Sequence, residues 1–192
     1  DFTFTYFSKK KINFYQVYYP ELSHRVVNDY YHHSFASNVN TYDIWGSFKY
    51  KFITNSLGFK DSTNRVINLQ NSLTKRILIN GDSFTEGIGF KYEDTFVGLL
   101  DKHLTKKNIE VLNAGVASQS PIIYLSKIKY LLEEENLKFD ELIIFLDISD
   151  IPDETYYKQK NNKLIIDEKE KIILEKIGIF LSKNFSSVLF YN

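Results

Sequence analysis

The spacing of apolar residues changes character near residue 76. Residues 1–75 are rich in Tyr, Phe, Asn and Ser and alternate apolar with polar in short stretches such as Phe48-Lys49-Tyr50-Lys51-Phe52. A period of two marks a strand with one face covered, so this segment reads as an irregular, β-containing N-terminal extension whose hairpins are exposed. From Arg76 onward the style differs. Ile77-Leu78-Ile79 is a short continuous apolar run closed by a glycine-containing turn, the pattern of a strand buried on both faces. Residues 95–104 then set Phe96, Val97, Leu100 and Leu104 on one helical face, and residues 109–112 read as a second strand. Ile122, Leu125, Ile128 and Leu132 mark a second amphipathic helix, which Pro121 suits at its first turn, and residues 141–146 supply a third strand. Strand, helix, strand, helix, strand predicts an α/β domain over residues 76–192, built on a parallel sheet. Past Asp150 the chain turns polar. Residues 163–166 read as an edge strand, and residues 168–181 as a helix carrying Ile172, Ile173, Ile177 and Phe180, with a solvated Lys/Glu face.

Composition narrows the classes of function. At 192 residues, 43% hydrophobic and 25% charged, the chain has the makings of one soluble domain with a buried core. Lys+Arg and Asp+Glu are 24 each, so no net field draws it to nucleic acid or to an anionic membrane. Without cysteine there are no disulfides and no thiolate metal sites, and no cofactor is expected. No run of about 18 apolar residues is present to span a bilayer. The sequence begins with Asp1 and ends in the apolar run Val188-Leu189-Phe190-Tyr191, which reads as an element in progress. The expectation is a domain incomplete at its C-terminus, with any leader or membrane anchor lying outside these residues.

In open parallel sheets ligands sit beyond the carboxyl ends of the strands, so the three turns that follow the strands are where chemistry belongs. The first is Asn80-Gly81-Asp82-Ser83-Phe84-Thr85-Glu86-Gly87-Ile88-Gly89, where Gly81 permits a tight turn and Ser83 is presented just past the strand. A hydroxyl held there acts as a nucleophile if a base takes its proton. The second, Asn113-Ala114-Gly115, brings a backbone N–H toward a developing oxyanion, and the third is Asp147-Ile148-Ser149-Asp150.

Gly81-Asp82-Ser83-Phe84-Thr85 resembles block I of the SGNH/GDSL hydrolases, and the order and spacing of the other two turns extend the resemblance over residues 76–154. The resemblance implies a three-layer, flavodoxin-like fold with Ser83 as nucleophile. It also implies an oxyanion hole formed by the N–H groups of Ser83 and Gly115 with a side-chain donor at Ser149. Asp82 and Asp150 would shape the site. Two positions depart from the family pattern. Its third block reads Gly-x-Asn-Asp, whereas Asp147 and Ser149 stand here in place of the Gly and Asn; its general base is a histidine in a later Asp-x-x-His, whereas no histidine follows His103. Of the histidines present, His103 lies beside an apolar helix face, His32 and His33 point apart if the strand is extended, and His24 has no motif around it.

These residues lead to an esterase or O-acyltransferase acting on small-molecule or glycan acyl esters, inactive without its base. A bacterial envelope setting follows from the resemblance alone, through the lead-in Asn55-Ser56-Leu57-Gly58-Phe59. The alternative is a noncatalytic carbohydrate-binding or scaffold module that keeps the fold, its aromatics and Trp45 stacking on sugars. A third reading, a flavin or nucleotide phosphate cradled by residues 81–89, lacks the lysine of a P-loop and the glycine spacing of a dinucleotide fingerprint.

Overall fold

The computed structural model describes residues 24–70, 73–148, 150–151, 154, 157–160 and 163–166. The helix expected at 168–181 lies outside them. The chain is an α/β protein. Its centre is a parallel sheet of three strands, β5 (Lys75–Asn80), β6 (Ile109–Asn113) and β7 (Glu141–Ile144), in the order β6-β5-β7. Ahead of it run two antiparallel hairpins, β1 (Arg25–Asn28) with β2 (His32–Phe35), and β3 (Asn40–Trp45) with β4 (Phe48–Ile53).

β5 earns its central place by composition: everything after Lys75 in it is buried, including Arg76. Successive side chains point to opposite faces. On one face Ile77 and Ile79 join Val111, Ile143, Val97, Leu100 and Leu104; on the other Leu78 joins Leu112, Leu131, Leu137, Phe59 and Ile67. Val97, Leu100 and Leu104 belong to helix α2 (Phe96–Thr105), which starts where Thr95 accepts the Gly98 N–H at 3.0 Å. Leu131 belongs to helix α3 (Pro121–Glu133), entered through Pro121.

The face of α3 differs from the sequence expectation. Leu125 and Leu132 are about half exposed, and the buried positions are Ile123, Tyr124, Lys127 and Leu131. Both stripes have helical period. The inner one carries a tyrosine and a lysine, whose polar ends find partners inside: Tyr124 donates to Asp150 at 2.9 Å, and Lys127 donates to the Ala114 carbonyl. The strand expected at the sheet edge over 163–166 is instead β9 (Lys163–Ile166). It pairs antiparallel with β8 (Tyr157–Lys160) in a two-stranded sheet of its own, the two strands being only two residues apart in the sequence.

The hairpins are less exposed than the alternation suggested. Phe35, Tyr50 and Phe52 cluster with Val116 in the loop after β6. Lys60 bridges Asn113, extending the pairing of the segment before the sheet onto the end of β6. On β3 and β4, Asp43 and Tyr50 are buried, while Trp45 and Phe48, paired across the hairpin at its tip, are 60% and 70% exposed. Trp45 packs against Gly89, where an added Cβ would lie 3.4 Å from its indole ring.

Candidate functional site

Ser83 opens a helix of a single turn, α1 (Ser83–Glu86), directly after β5. Two close approaches hold this turn. A Cβ on Gly81 would lie 2.2 Å from Thr85 Oγ1 and 3.0 Å from the Phe145 carbonyl, so only glycine lets the strand run into the turn. Gly87 closes it in the left-handed region (φ 72), its N–H donating to the Ser83 carbonyl at 3.0 Å. Asp82 caps the turn, accepting the Phe84 N–H at 3.0 Å, and the Ser83 hydroxyl donates to the same carboxyl at 3.4 Å. As the first helical residue, Ser83 has an N–H with no intrahelical acceptor.

The turn after β7 brings acid to the same place. Asp150 is buried, accepts the Tyr124 hydroxyl at 2.9 Å and takes the Asp147 N–H at 3.0 Å. Burial, opposed by the Phe84 N–H and reinforced by the charges of Asp147 and Asp150, raises the Asp82 carboxyl above its usual range. Asp82, Asp147 and Asp150 thus form one electrostatic group at the carboxyl end of the sheet. Ser149 lies outside the described residues, as does Asp153.

Gly115 is beside the turn, but its N–H is engaged: it donates to Asn113 Oδ1 at 3.0 Å. An oxyanion would have to compete with that side chain. The need for glycine is steric, since a Cβ would sit 2.6 Å from Thr85 Cγ2 and 2.9 Å from the Glu86 nitrogen.

The histidines at 24, 32 and 33 have partners of their own. His24 is buried against the Phe52 ring with Nε2 3.3 Å from Asp43. His32 and His33 do not point apart: a positive φ of 71° at His32 turns the chain, and their Nδ1 atoms lie 2.7 Å from each other. His33 Nε2 meets the Ala117 carbonyl at 2.8 Å, and burial holds its pKa well below the usual value, so it is neutral.

Beneath α1 is a set of buried charges that carried no motif. Glu86, fully buried, accepts from Arg25 at 2.6 and 3.3 Å and from the Ala117 N–H at 2.7 Å. Arg25 also reaches Asp43 at 3.0 Å, and Tyr50 donates to Asp43 at 2.9 Å. Burial alone would raise the Asp43 carboxyl, but the His24 hydrogen bond and the Arg25 charge outweigh it and hold it well below its usual range. Lys60 donates to the carbonyls of Gly87 at 2.8 Å and Phe90 at 2.7 Å, and burial brings its pKa down to about 8. The one signal in the sequence was Lys127, which stands four residues from both Ile123 and Leu131 on the stripe that proved to be the inner one.

No protein-family model matches the chain, and no curated protein matches it. Among solved structures the chain is similar to AlinE4, described as an SGNH-hydrolase family esterase, at 21% identity and a TM-score of 0.38, over 60% of this chain and 57% of that one. Two variants of the same esterase align at 26% and 23% identity, with TM-scores of 0.37 and 0.34, over 43% and 40% of this chain. The chain spans about half the length of these structures, 57% of AlinE4 and 45% and 42% of the two variants.

Proposed function

We propose that the chain carries the nucleophile-bearing part of an SGNH/GDSL-type site, in a three-layer flavodoxin-like domain, that transfers acyl groups from esters. The observation that carries this reading is Ser83 at the first position of a helical turn, directly after the central parallel strand, with the turns after β6 and β7 on either side of it. In such a site the Ser83 oxygen attacks the ester carbonyl and its proton passes to a base. The oxyanion is met by the N–H of Ser83, and collapse expels the alcohol to leave an acyl-serine, which water or a sugar hydroxyl then relieves of the acyl group. Gly115 joins the oxyanion hole when its N–H exchanges Asn113 for the substrate oxygen. Ser149 is the side-chain donor of the same hole. No histidine follows His103 in these 192 residues, so the later Asp-x-x-His of the family has no counterpart in them. Either another group serves, or the base comes from outside these 192 residues.

Acylated carbohydrate is the favoured substrate class, met in a bacterial envelope; the exposed Trp45 against Gly89 offers an indole face six residues beyond the nucleophile. In the full-length protein, Ser83→Ala should abolish hydrolysis of p-nitrophenyl acetate; undiminished turnover removes Ser83 from the mechanism. The same indole face favours a second reading, a glycan-binding module without catalysis. Glycan binding that survives Ser83→Ala, with no ester turnover by the unaltered protein, would select it.

A further inference from the structure

We infer that Arg25 is a positioning residue for Ser83, acting through Glu86, and that the hairpins before the sheet are therefore part of the nucleophile's machinery. This rests on the serine-ester reading for its catalytic consequence, though not for its geometry.

The turn bearing Ser83 has four residues, too short to hold its own conformation. Its outer end is fixed from elsewhere. Glu86, the last residue of the turn, is fully buried, and its two oxygens face two different pieces of chain. One takes the shorter Arg25 bond from β1; the other takes the Ala117 N–H in the loop after β6 along with a longer Arg25 contact. One carboxylate thus sets the nucleophile turn in register with the loop that carries Gly115. Arg25 pairs with that carboxylate and aims it, and is itself fixed by Asp43, which Tyr50 and His24 hold in turn. Lys60 grips two carbonyls further along the same loop, at Gly87 and Phe90. Arg25, Asp43, Tyr50, His24 and Lys60 all precede residue 76.

A buried ion pair is a poor device for stability alone, because desolvation consumes most of the attraction, and replacing both partners by neutral groups is often harmless while removing one is not. That asymmetry separates positioning from bracing. In Arg25→Met alone, Glu86 is left charged and unpaired, and both stability and activity should fall. In Arg25→Met with Glu86→Gln, the unpaired charge at Glu86 is gone and the amide that replaces the carboxylate can still accept the Ala117 N–H, while Asp43 loses Arg25 and keeps His24 and Tyr50. The melting temperature should then recover most of what Arg25→Met loses, the remainder being the share of Asp43.

The experiment is to compare these two variants with Arg25→Lys in the full-length protein. The readouts are kcat and KM for p-nitrophenyl acetate and amide hydrogen exchange over residues 83–87 and 115–118. A stable double variant with kcat down tenfold or more, KM within twofold, and faster exchange confined to those two loops is the expected result, with Arg25→Lys recovering part of both. A double variant that is stable and keeps unaltered kcat and unaltered exchange overturns the assignment. Should the unaltered protein show no Ser83-dependent turnover, the esterase reading fails, and the exchange measurement alone decides whether Arg25 holds the turn. If the double variant does not fold, Arg25→Lys serves in its place, with the same exchange result required.

Discussion

Lys127 is a cation enclosed in protein: its Nζ donates to the Ala114 carbonyl and lies 5.6 and 5.5 Å from the centres of the Tyr31 and Phe59 rings. Burial lowers its pKa from 10.5 to about 7, against the opposing pull of Glu86. Between those values the unfolded chain holds the proton and the folded chain does not. Stability therefore rises with pH through this window, and the burden of the buried charge is full only below about pH 7. One pKa unit corresponds to about 1.4 kcal/mol, so from pH 7 to 9 this side chain alone adds up to about 2 kcal/mol once relaxation is allowed for. Replacement by methionine keeps the length and discards the titration, at the cost of an unpaired Ala114 carbonyl, about 1–3 kcal/mol. Urea denaturation followed by circular dichroism at pH 7, 8 and 9 reads both terms. The unaltered protein should gain on Lys127→Met by about 2 kcal/mol across the series. Parallel stability curves would show that Lys127 carries no perturbed titration, and the reasoning from burial would fail.

Three further outcomes follow from the packing. Leu131→Ala should cost roughly 2–5 kcal/mol in chemical denaturation, whereas Leu125→Ala on the other stripe of α3 should stay within about 0.5 kcal/mol; equal losses would mean that the helix face has been misassigned. Gly115→Ala should lose about 1–3 kcal/mol from overpacking against Thr85, and an unchanged melting temperature would show that the two turns are not in contact. Asp147→Asn removes a charge that raises the Asp82 carboxyl, so the Asp82 titration followed by NMR should move to lower pH; no movement would separate the two carboxylates electrostatically.

Much of the sheet was legible because its signals are local. Ile77-Leu78-Ile79 reads as a doubly covered strand from three adjacent residues, Thr95 starts its helix through its own hydroxyl, and Pro121 enters the next by the geometry of its ring. The face of α3 was not legible, since Ile122, Leu125, Ile128 and Leu132 are as periodic as the buried stripe and more apolar. Only the partners of Tyr124 and Lys127, Asp150 and the Ala114 carbonyl, decide between the two. Ser83 stood out through its glycine and its place after a strand, and Asp82 through its adjacency. The buried charges beneath them left no such trace. Arg25 is separated from Glu86 by 61 residues and sits among tyrosines and asparagines, so nothing near it in sequence says what it meets. The pair of histidines was misread for a related reason: the alternation rule holds for extended chain, and the backbone is not extended at His32.

The distance along the chain between Arg25 and Glu86 also orders events in time. At the ordinary pace of synthesis, 61 residues take roughly 3 to 12 s to add, and for that interval the arginine has emerged without its acceptor. Phe59 and Ile67 wait likewise for Leu112 and Leu131. The first hairpins of this protein are thus made early but find most of their interior only after the sheet exists. The turn bearing Ser83, closed by Arg25 from one side of that delay and by Ala117 from the other, cannot settle before residue 117 is made.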